Sequence, residues 1–283
     1  MSLDADLRNA LIDATRAAAR REILPRFRSL APDQIHQKTG VQDLVTEADL
    51  ATEAALREAF ARVMPGAAII GEEGVSQDAS ELDRLEGTAP VIVIDPIDGT
   101  WNFAHGLATF GTIIAVVEGG QTIFGLLYDP VCDDWIWTGR GQGTWFGGAD
   151  RGDAALPPLA PPPLDQMTGL HSGHGLTPEQ RVAATHVYGL VSQVGSPRAS
   201  LWDYRLLATG AAGFSMNRML NVWDHAAGVL AFTELGGQSA LLDGRPYAPT
   251  LRSGMLLNAA SQDTWDALAP GFRAALSPDT PPV

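Results

Sequence analysis

Residues 91 to 103 read VIVIDPIDGTWNF. Val91 to Ile94 are β-branched throughout, with no polar residue for either face, so this run predicts a strand buried on both sides. A chain that hides both faces of a strand must cover its sheet from above and below, which points to layers of helices on sheets. Pro96 has no N–H to offer a ladder, so pairing is expected to stop near Asp95. Asp95 and Asp98 would then project from the strand end into a tight turn. Two carboxylates crowded there repel each other unless something positive lies between them.

The bulk of the chain narrows what that positive partner can be. Its 283 residues suffice for one large core or two fused subdomains. The net charge of −14 argues against nucleic acid or an anionic membrane surface as partner. Cys132 is the only cysteine, which excludes an intrachain disulfide or thiolate metal cluster and suits a reducing, cytoplasmic setting. Asp4, Asp6 and Arg8 stand where a signal peptide needs an apolar stretch, and no apolar run approaches the ~18 residues of a membrane helix. The expectation is a soluble, cytoplasmic globular protein. Lys38 is the only lysine, so a G-x-x-x-x-G-K-[ST] phosphate loop is absent. The glycine-rich GRGQGTWFGG at 139–148 lacks the apolar helix of a dinucleotide site and reads as turns of a β-hairpin.

Helices are expected at 4–28, with Leu7, Leu11, Ala14, Ala18 and Ile23 on one stripe, and at 47–64 behind a capping box from Thr46. Strands are expected at 67–70, 91–94, 111–117, 122–128 and 134–138. The proline- and alanine-rich stretch 150–164 reads as a connector between an N-terminal α+β subdomain, 1–149, and a C-terminal α/β subdomain, 150–283, that together form one catalytic unit. Beyond it come a strand within 167–173, helices near 178–191 and 201–211, a helix starting at Asp224, and a tail, 277–283, expected to be disordered. The mixture predicts an α/β or α+β class.

Acids recur beside these apolar elements: Asp43 and Asp49 in DLVTEAD, Glu72 and Glu73 in GEE, Asp95 and Asp98, and Asp224. Singly, Asp224 reads as an N-cap, Asp49 as a first-turn acid, Asp95 as a turn residue, and Glu72 with Glu73 as a solvated loop. Together they form a set of hard oxygen ligands suited to Mg²⁺, Mn²⁺ or Ca²⁺ rather than Zn²⁺. Glu72, Asp95, Asp98 and Asp224 carry four negative charges, which two divalent cations would neutralise. Two ions about 3.5–4 Å apart are the usual arrangement for in-line attack on phosphorus. Gly99 and Thr100 would add backbone N–H groups at a helix opening, a seat for phosphate. His171 and His174 read as loop residues, His105 as a structural support of the acidic loop, and His225 as a surface residue at a helix start.

These blocks, DLVTEAD, GEE, DPIDGTWNFAHG and WDHAAG with ELGG behind it, resemble the inositol monophosphatase family in order and over nearly the whole chain. The resemblance implies a layered αβαβα sandwich, commonly a homodimer, and a lithium-sensitive phosphatase dependent on two Mg²⁺ ions, with a third, weaker ion near Glu72 and Mn²⁺ as a substitute. It assigns Glu72, Asp95 and the Ile97 carbonyl to the first metal, and Asp95, Asp98 and Asp224 to the second. It gives Asp49 and Thr100 the activation of the attacking water, counts Glu73 with them as catalytic, and seats phosphate on the amides of Gly99 and Thr100. Lys38 takes the place of a basic residue on a mobile loop of the metal site and counts among the residues expected to bind phosphate or substrate. The implied reaction is in-line attack of metal-activated water on a small phosphate monoester, without a phosphoenzyme.

Departures from the pattern concern substrate. Inositol-specific members carry a glutamate where this chain has Asn217, and an amide loses the charge-assisted strength of a carboxylate acceptor. Trp101 stands where many members have threonine. In SPRASLWDY, Arg198 and Ser200 join Asn217 as candidate substrate residues, with Arg198 either recognising a polar or anionic group or pairing with Asp203. Histidinol phosphate, fructose 1,6-bisphosphate, adenosine 3′,5′-bisphosphate and NADP are therefore alternatives to inositol phosphate. A non-catalytic regulator predicts lost ligands or a basic patch, and neither is present. A haloacid-dehalogenase-type phosphatase needs D-x-D-x-T and a later lysine, which this chain lacks.

Overall fold

A computed structural model describes residues 3–40 and 42–276, so the tail 277–283 lies outside the described residues. Helix α1 (Ala5–Ala18) opens where the Asp4 carboxylate takes the Leu7 N–H at 2.8 Å, and it runs on as a π-helical turn, Ala19–Ile23. The hairpin β1 (Ile35–Gly40) and β2 (Asp43–Thr46) leads into α2 (Glu47–Val63). The expected capping box is formed: Thr46 accepts from the Ala48 N–H, and Asp49 accepts from the Thr46 N–H at 2.8 Å. Next come β3 (Ala68–Gly71), α3 (Glu72–Gln77), β4 (Val91–Asp98), α4 (Thr100–Ala104), β5 (Gly111–Glu118), β6 (Gln121–Asp129), β7 (Asp134–Gly139), β8 (Gly143–Gly148) and β9 (Arg151–Ala155). The remainder is β10 (Thr168–Leu170), α5 (Pro178–Tyr188), β11 (Gln193–Gly195), α6 (Ser200–Ala208), β12 (Phe214–Asn217), α7 (Val222–Thr233), β13 (Gln238–Leu241), β14 (Leu256–Ala259) and α8 (Gln262–Leu276).

Strands β3 to β9 form one seven-stranded sheet in chain order, with β3 and β4 parallel and every later pair antiparallel. A five-stranded sheet runs β11-β10-β12-β14-β13. Side-chain alternation along β4 accounts for the layers. Ile92 and Ile94 pack with Leu11, Leu56 and Phe60 of α1 and α2. Val91 and Val93 face the other way, onto Leu207, Ala227 and Val229 of α6 and α7. That second core continues to Leu170, Leu241 and Leu256 on the inner face of the smaller sheet. Phe214, Met216 and Leu257 turn outward to Ala184 of α5 and Phe272 of α8. The result is the αβαβα sandwich, and α6 and α7, although they follow the connector, are packed on the N-terminal sheet.

Several local expectations are corrected. Pairing does not stop near Asp95: Asp95 sits opposite Ile113, the register shifts, and Asp98 sits opposite Gly111. Two residues on β4, Pro96 and Ile97, thus stand against one on β5, Thr112, and Pro96, whose missing N–H would break a regular ladder, falls inside this bulge. The connector begins as strand β9 rather than as coil. Helix α7 starts at Val222, so Asp224 is in its first turn and Asn221 caps it. His225 is 2 % exposed, not a surface residue; Tyr204 Oη lies 3.0 Å from its Nδ1 and the Met219 carbonyl 2.7 Å from its Nε2.

Candidate active site

The bulge in β4 decides where the two aspartates go. In regular pleating, residues three apart point to opposite faces. The extra residue restores parity, so Asp95 and Asp98 both share the α6/α7 face, and Ile97 turns into the α1/α2 core. Asp224, in the first turn of α7, meets them there. One oxygen from each of Asp95, Asp98 and Asp224 lies within 4.8 Å of the others. Asp98 accepts the N–H groups of Ser200 at 2.9 Å and Leu201 at 2.6 Å, so the start of α6 is tied to this carboxylate. Asn221 donates to Asp224 at 3.1 Å.

Electrostatically the cluster is unbalanced. Desolvation pushes the Asp95 carboxyl well above the usual range, and Glu72 and Asp98 add to the rise. Desolvation and Asp224 raise Asp98 likewise, against the two N–H bonds it accepts. Asp224 is pushed up to about 6, chiefly by desolvation. Asp95 Oδ1 is buried without a hydrogen-bond partner. An orphaned buried carboxylate oxygen amid two further carboxylates, with no thiol or imidazole among the three, fits a hard divalent cation. The residues present can hold a metal ion.

Glu72 and Glu73 open α3 after β3, and the solvated-loop reading does not hold: Glu73 is 5 % exposed. Lys38, on β1, donates to Glu72 at 2.9 Å and Glu73 at 2.8 Å, and its single ammonium offsets half of their charge. Burial nevertheless pushes Glu73 up to about 7 and raises Glu72. Glu72 stands near enough to raise Asp95 but is not one of the three clustered carboxylates. Glu53 of α2 takes the N–H groups of Glu73 at 2.8 Å and Gly74 at 3.0 Å and is itself gripped by Arg57 at 2.9 Å. This anchor escaped sequence reasoning, although the glycines flanking the acids in GEEG were its signal: a Cβ on Gly71 would fall 2.2 Å from the Glu53 carboxyl carbon.

Across the cleft, Asp49 is buried in the first turn of α2. Its Oδ2 accepts the Thr46 N–H at 2.8 Å and the Thr46 hydroxyl at 2.6 Å, which leaves Oδ1 facing the Thr100 hydroxyl at 3.2 Å. Thr100 Oγ1 is also 3.0 Å from the Ile97 carbonyl. Desolvation pushes Asp49 up to about 7. Gly99 holds the intervening turn at φ +86°, and a Cβ there would lie 3.0 Å from both Ala199 Cβ and the Thr109 carbonyl oxygen, so only glycine fits.

The chain matches the model of the inositol monophosphatase family over residues 4–276. It belongs to that family. An inositol-1-monophosphatase of Caulobacter vibrioides is 31% identical over 275 residues, covering 94% of this chain and 100% of that protein. A histidinol-phosphatase of Streptomyces coelicolor is 31% identical over 251 residues, 86% of this chain and 88% of that protein. Among solved structures, an IMPase of Thermotoga maritima superposes with a TM-score of 0.81 at 21% identity, covering 96% of this chain and 98% of that one. As an inositol monophosphatase family member the chain is a phosphoric monoester hydrolase acting on a small phosphorylated metabolite. Among the described residues no helix is long and apolar enough to cross a membrane.

The remaining candidates lie at the rim. Arg198 does not pair with Asp203; its guanidinium carbon lies 3.7 Å above the Trp101 ring, and it donates to the Gln42 side-chain carbonyl. Asn217, at the end of β12, donates from Nδ2 to Ser215 at 3.2 Å, which leaves its amide oxygen as the free acceptor. Ser200 is engaged with the acidic cluster through its N–H to Asp98. His105 is exposed and stacks on Trp101 with ring centroids 3.9 Å apart.

Proposed function

We propose that this site hydrolyses the monoester bond of a small phosphorylated alcohol with two Mg²⁺ ions, which Mn²⁺ can replace. The convergence of Asp95, Asp98 and Asp224 from β4 and α7 carries the reading. In it, Glu72, Asp95 and the Ile97 carbonyl hold one ion, and Asp95, Asp98 and Asp224 the other. When bound, the cations supply the positive charge that offsets four carboxylates and the developing charge on the phosphoryl oxygens.

The chain's own residues handle the proton. Thr100 Oγ1 accepts a hydrogen bond from the attacking water and passes its own proton to Asp49 Oδ1, 3.2 Å away. Thr46 fixes the other Asp49 oxygen, so the base presents one atom in one direction. A carboxyl held near 7 is matched to general-base work at neutral pH. The Gly99 and Thr100 amides seat the phosphate, and Lys38 and Glu73 keep the β1–β2 hairpin on the site through their 2.8 Å contact. No side chain serves as nucleophile, so oxygen adds from water as the ester P–O bond breaks, the departing alkoxide takes a proton from solvent, and phosphate and alcohol leave.

Relatives named for inositol phosphate and for histidinol phosphate have the same 31% identity, so specificity on this reading rests on the rim residues Arg198, Ser200 and Asn217. Lithium inhibition and dimer formation follow from the family resemblance, and a cytoplasmic setting from the single cysteine, Cys132. The test is phosphate release from inositol 1-phosphate, glycerol 2-phosphate, histidinol phosphate, fructose 1,6-bisphosphate, adenosine 3′,5′-bisphosphate and NADP, with and without Mg²⁺ and Li⁺. Mg²⁺-dependent, Li⁺-inhibited turnover supports the reading, and silence across the panel at every Mg²⁺ concentration refutes it.

A further inference from the structure

Arg198 occupies a backbone position that resists a side chain. Its φ is +59°, in the left-handed region where a Cβ is strained and glycine is not. The side chain there is nonetheless held. Trp101 supports the guanidinium face, Gln42 from the β1–β2 turn accepts a hydrogen bond from it, and Trp101 is braced on its far side by His105. All three partners are uncharged or share its sign. Arg57 and Arg205, by contrast, lie against Glu53 and Asp134. Among the described residues Arg198 makes no ion pair, in a chain of net charge −14.

The shelf also borders the acidic cluster on two sides. Arg198 precedes Ser200 by two residues, and the Ser200 N–H is bonded to Asp98. Trp101 follows Thr100 directly, and the Thr100 hydroxyl reaches Asp49. An exposed guanidinium resting on an aromatic ring, with no ion pair and on strained backbone beside a phosphate-processing cleft, suits an anion. The catalytic carboxylates already dispose of the scissile phosphate through their cations, so this anion is a different one. We infer that Arg198, shelved on Trp101, binds a second anionic group, a carboxylate or a second phosphate, carried by the alcohol part of the substrate. This deepens the phosphatase reading above and rests on it.

The test compares matched esters. Glycerol 2-phosphate against 2-phosphoglycerate isolates a carboxylate; fructose 1-phosphate against fructose 1,6-bisphosphate isolates a phosphate. The wild type is expected to favour the anionic member of at least one pair by about 10- to 100-fold in kcat/KM, mainly through KM, as a charge-assisted hydrogen bond supplies. In Arg198→Gly that ratio falls to near one while the melting temperature stays at or above the wild-type value, because glycine accepts the left-handed backbone. A merely structural arginine would lower stability and leave the ratio intact. Trp101→Ala should lose part of the preference. Equal rates within both pairs for the wild type, or a ratio that survives Arg198→Gly, overturns the assignment alone. No Mg²⁺-dependent hydrolysis of any of the four esters overturns the phosphatase reading and this assignment with it.

Discussion

Asp95 and Asp98, three residues apart on one strand, point to the same face of the sheet because a bulge between them sets two residues, Pro96 and Ile97, against one on β5. Without the extra residue Asp98 would point toward α1 and α2, away from Asp224. Pro96 helps to specify that bulge, since it cannot donate to a regular ladder, and its carbonyl is held by the Thr112 hydroxyl at 2.9 Å. The geometry of the carboxylate cluster therefore depends on a backbone irregularity as much as on the acids themselves.

Asp95→Asn should abolish tight Mg²⁺ binding and reduce turnover by on the order of 10³-fold or more, since the site loses a charge at its orphaned oxygen. The same change should stabilise the cation-free protein at pH 8 by about 1–3 kcal/mol, because one buried like charge is removed. Calorimetric Mg²⁺ titration and urea unfolding in EDTA read the two effects; a variant with near-normal kinetics would sink the two-metal assignment.

Thr100→Val should lower kcat by about 10²–10³-fold while leaving Mg²⁺ affinity within a few-fold, because the hydroxyl that links Asp49 to the water is lost and the clustered carboxylates are not touched. Thr100→Ser keeps the hydroxyl and should retain most of the rate. Equal losses in both variants would remove Thr100 from proton transfer.

Stability of the cation-free protein should depend on pH in a defined direction. Folding raises Asp49 and Glu73 to about 7 and Asp224 to about 6, so the folded state binds more protons than the unfolded one. Groups of this kind favour folding at low pH, and that contribution is lost as pH rises through their folded values. His171 and His225, lowered to about 4 by burial, act oppositely: their contribution is present above about 6.5 and lost as pH falls toward 4. Between pH 8.5 and 7.5 the unfolded-state histidines are still largely neutral, so the carboxylates dominate and the melting temperature in EDTA should rise as pH falls. Saturating Mg²⁺ should flatten or invert that slope, since cation competes with protons for the same oxygens. A flat EDTA profile would contradict the electrostatic picture.

Glu53→Ala should destabilise the fold by about 2–4 kcal/mol, as it leaves two N–H groups at the start of α3 without their acceptor and takes from Arg57 one of the two carboxylates it pairs with. Glu53→Gln should cost less and still weaken Mg²⁺ binding, because Glu72 and Glu73 lose their fixed origin. Gly71→Ala drives a methyl group into the Glu53 carboxylate and should mimic Glu53→Ala in both unfolding and Mg²⁺ titration. Normal Mg²⁺ affinity in a folded Glu53→Gln protein would confine Glu53 to a structural role.

Asn217→Glu should raise kcat/KM on inositol 1-phosphate relative to glycerol 2-phosphate if this position reads ring hydroxyls, since a carboxylate is the stronger acceptor. An unchanged ratio of the two rates would remove Asn217 from substrate recognition.

The sequence by itself determined the class, the layers and the identity of the acids. An unbroken β-branched run at Val91–Ile94 can only be a strand covered on both faces, and the Thr46–Asp49 capping box follows from local spacing. Short strands such as β12, β13 and β14 and helix α8 were not foreseen, because three- and four-residue strands carry little periodicity of their own and are stabilised by their neighbours in the sheet. Tertiary structure decided which acids meet. Asp224 reads as a helix cap until α7 is laid across β4 to β7, and Glu53 is unremarkable until the α3 amides arrive at its carboxylate. Only the folded chain, likewise, seats the Arg198 guanidinium on Trp101 rather than beside Asp203. Local propensity acts over a few residues, whereas these contacts join segments as much as 129 residues apart, and packing alone sets their distances.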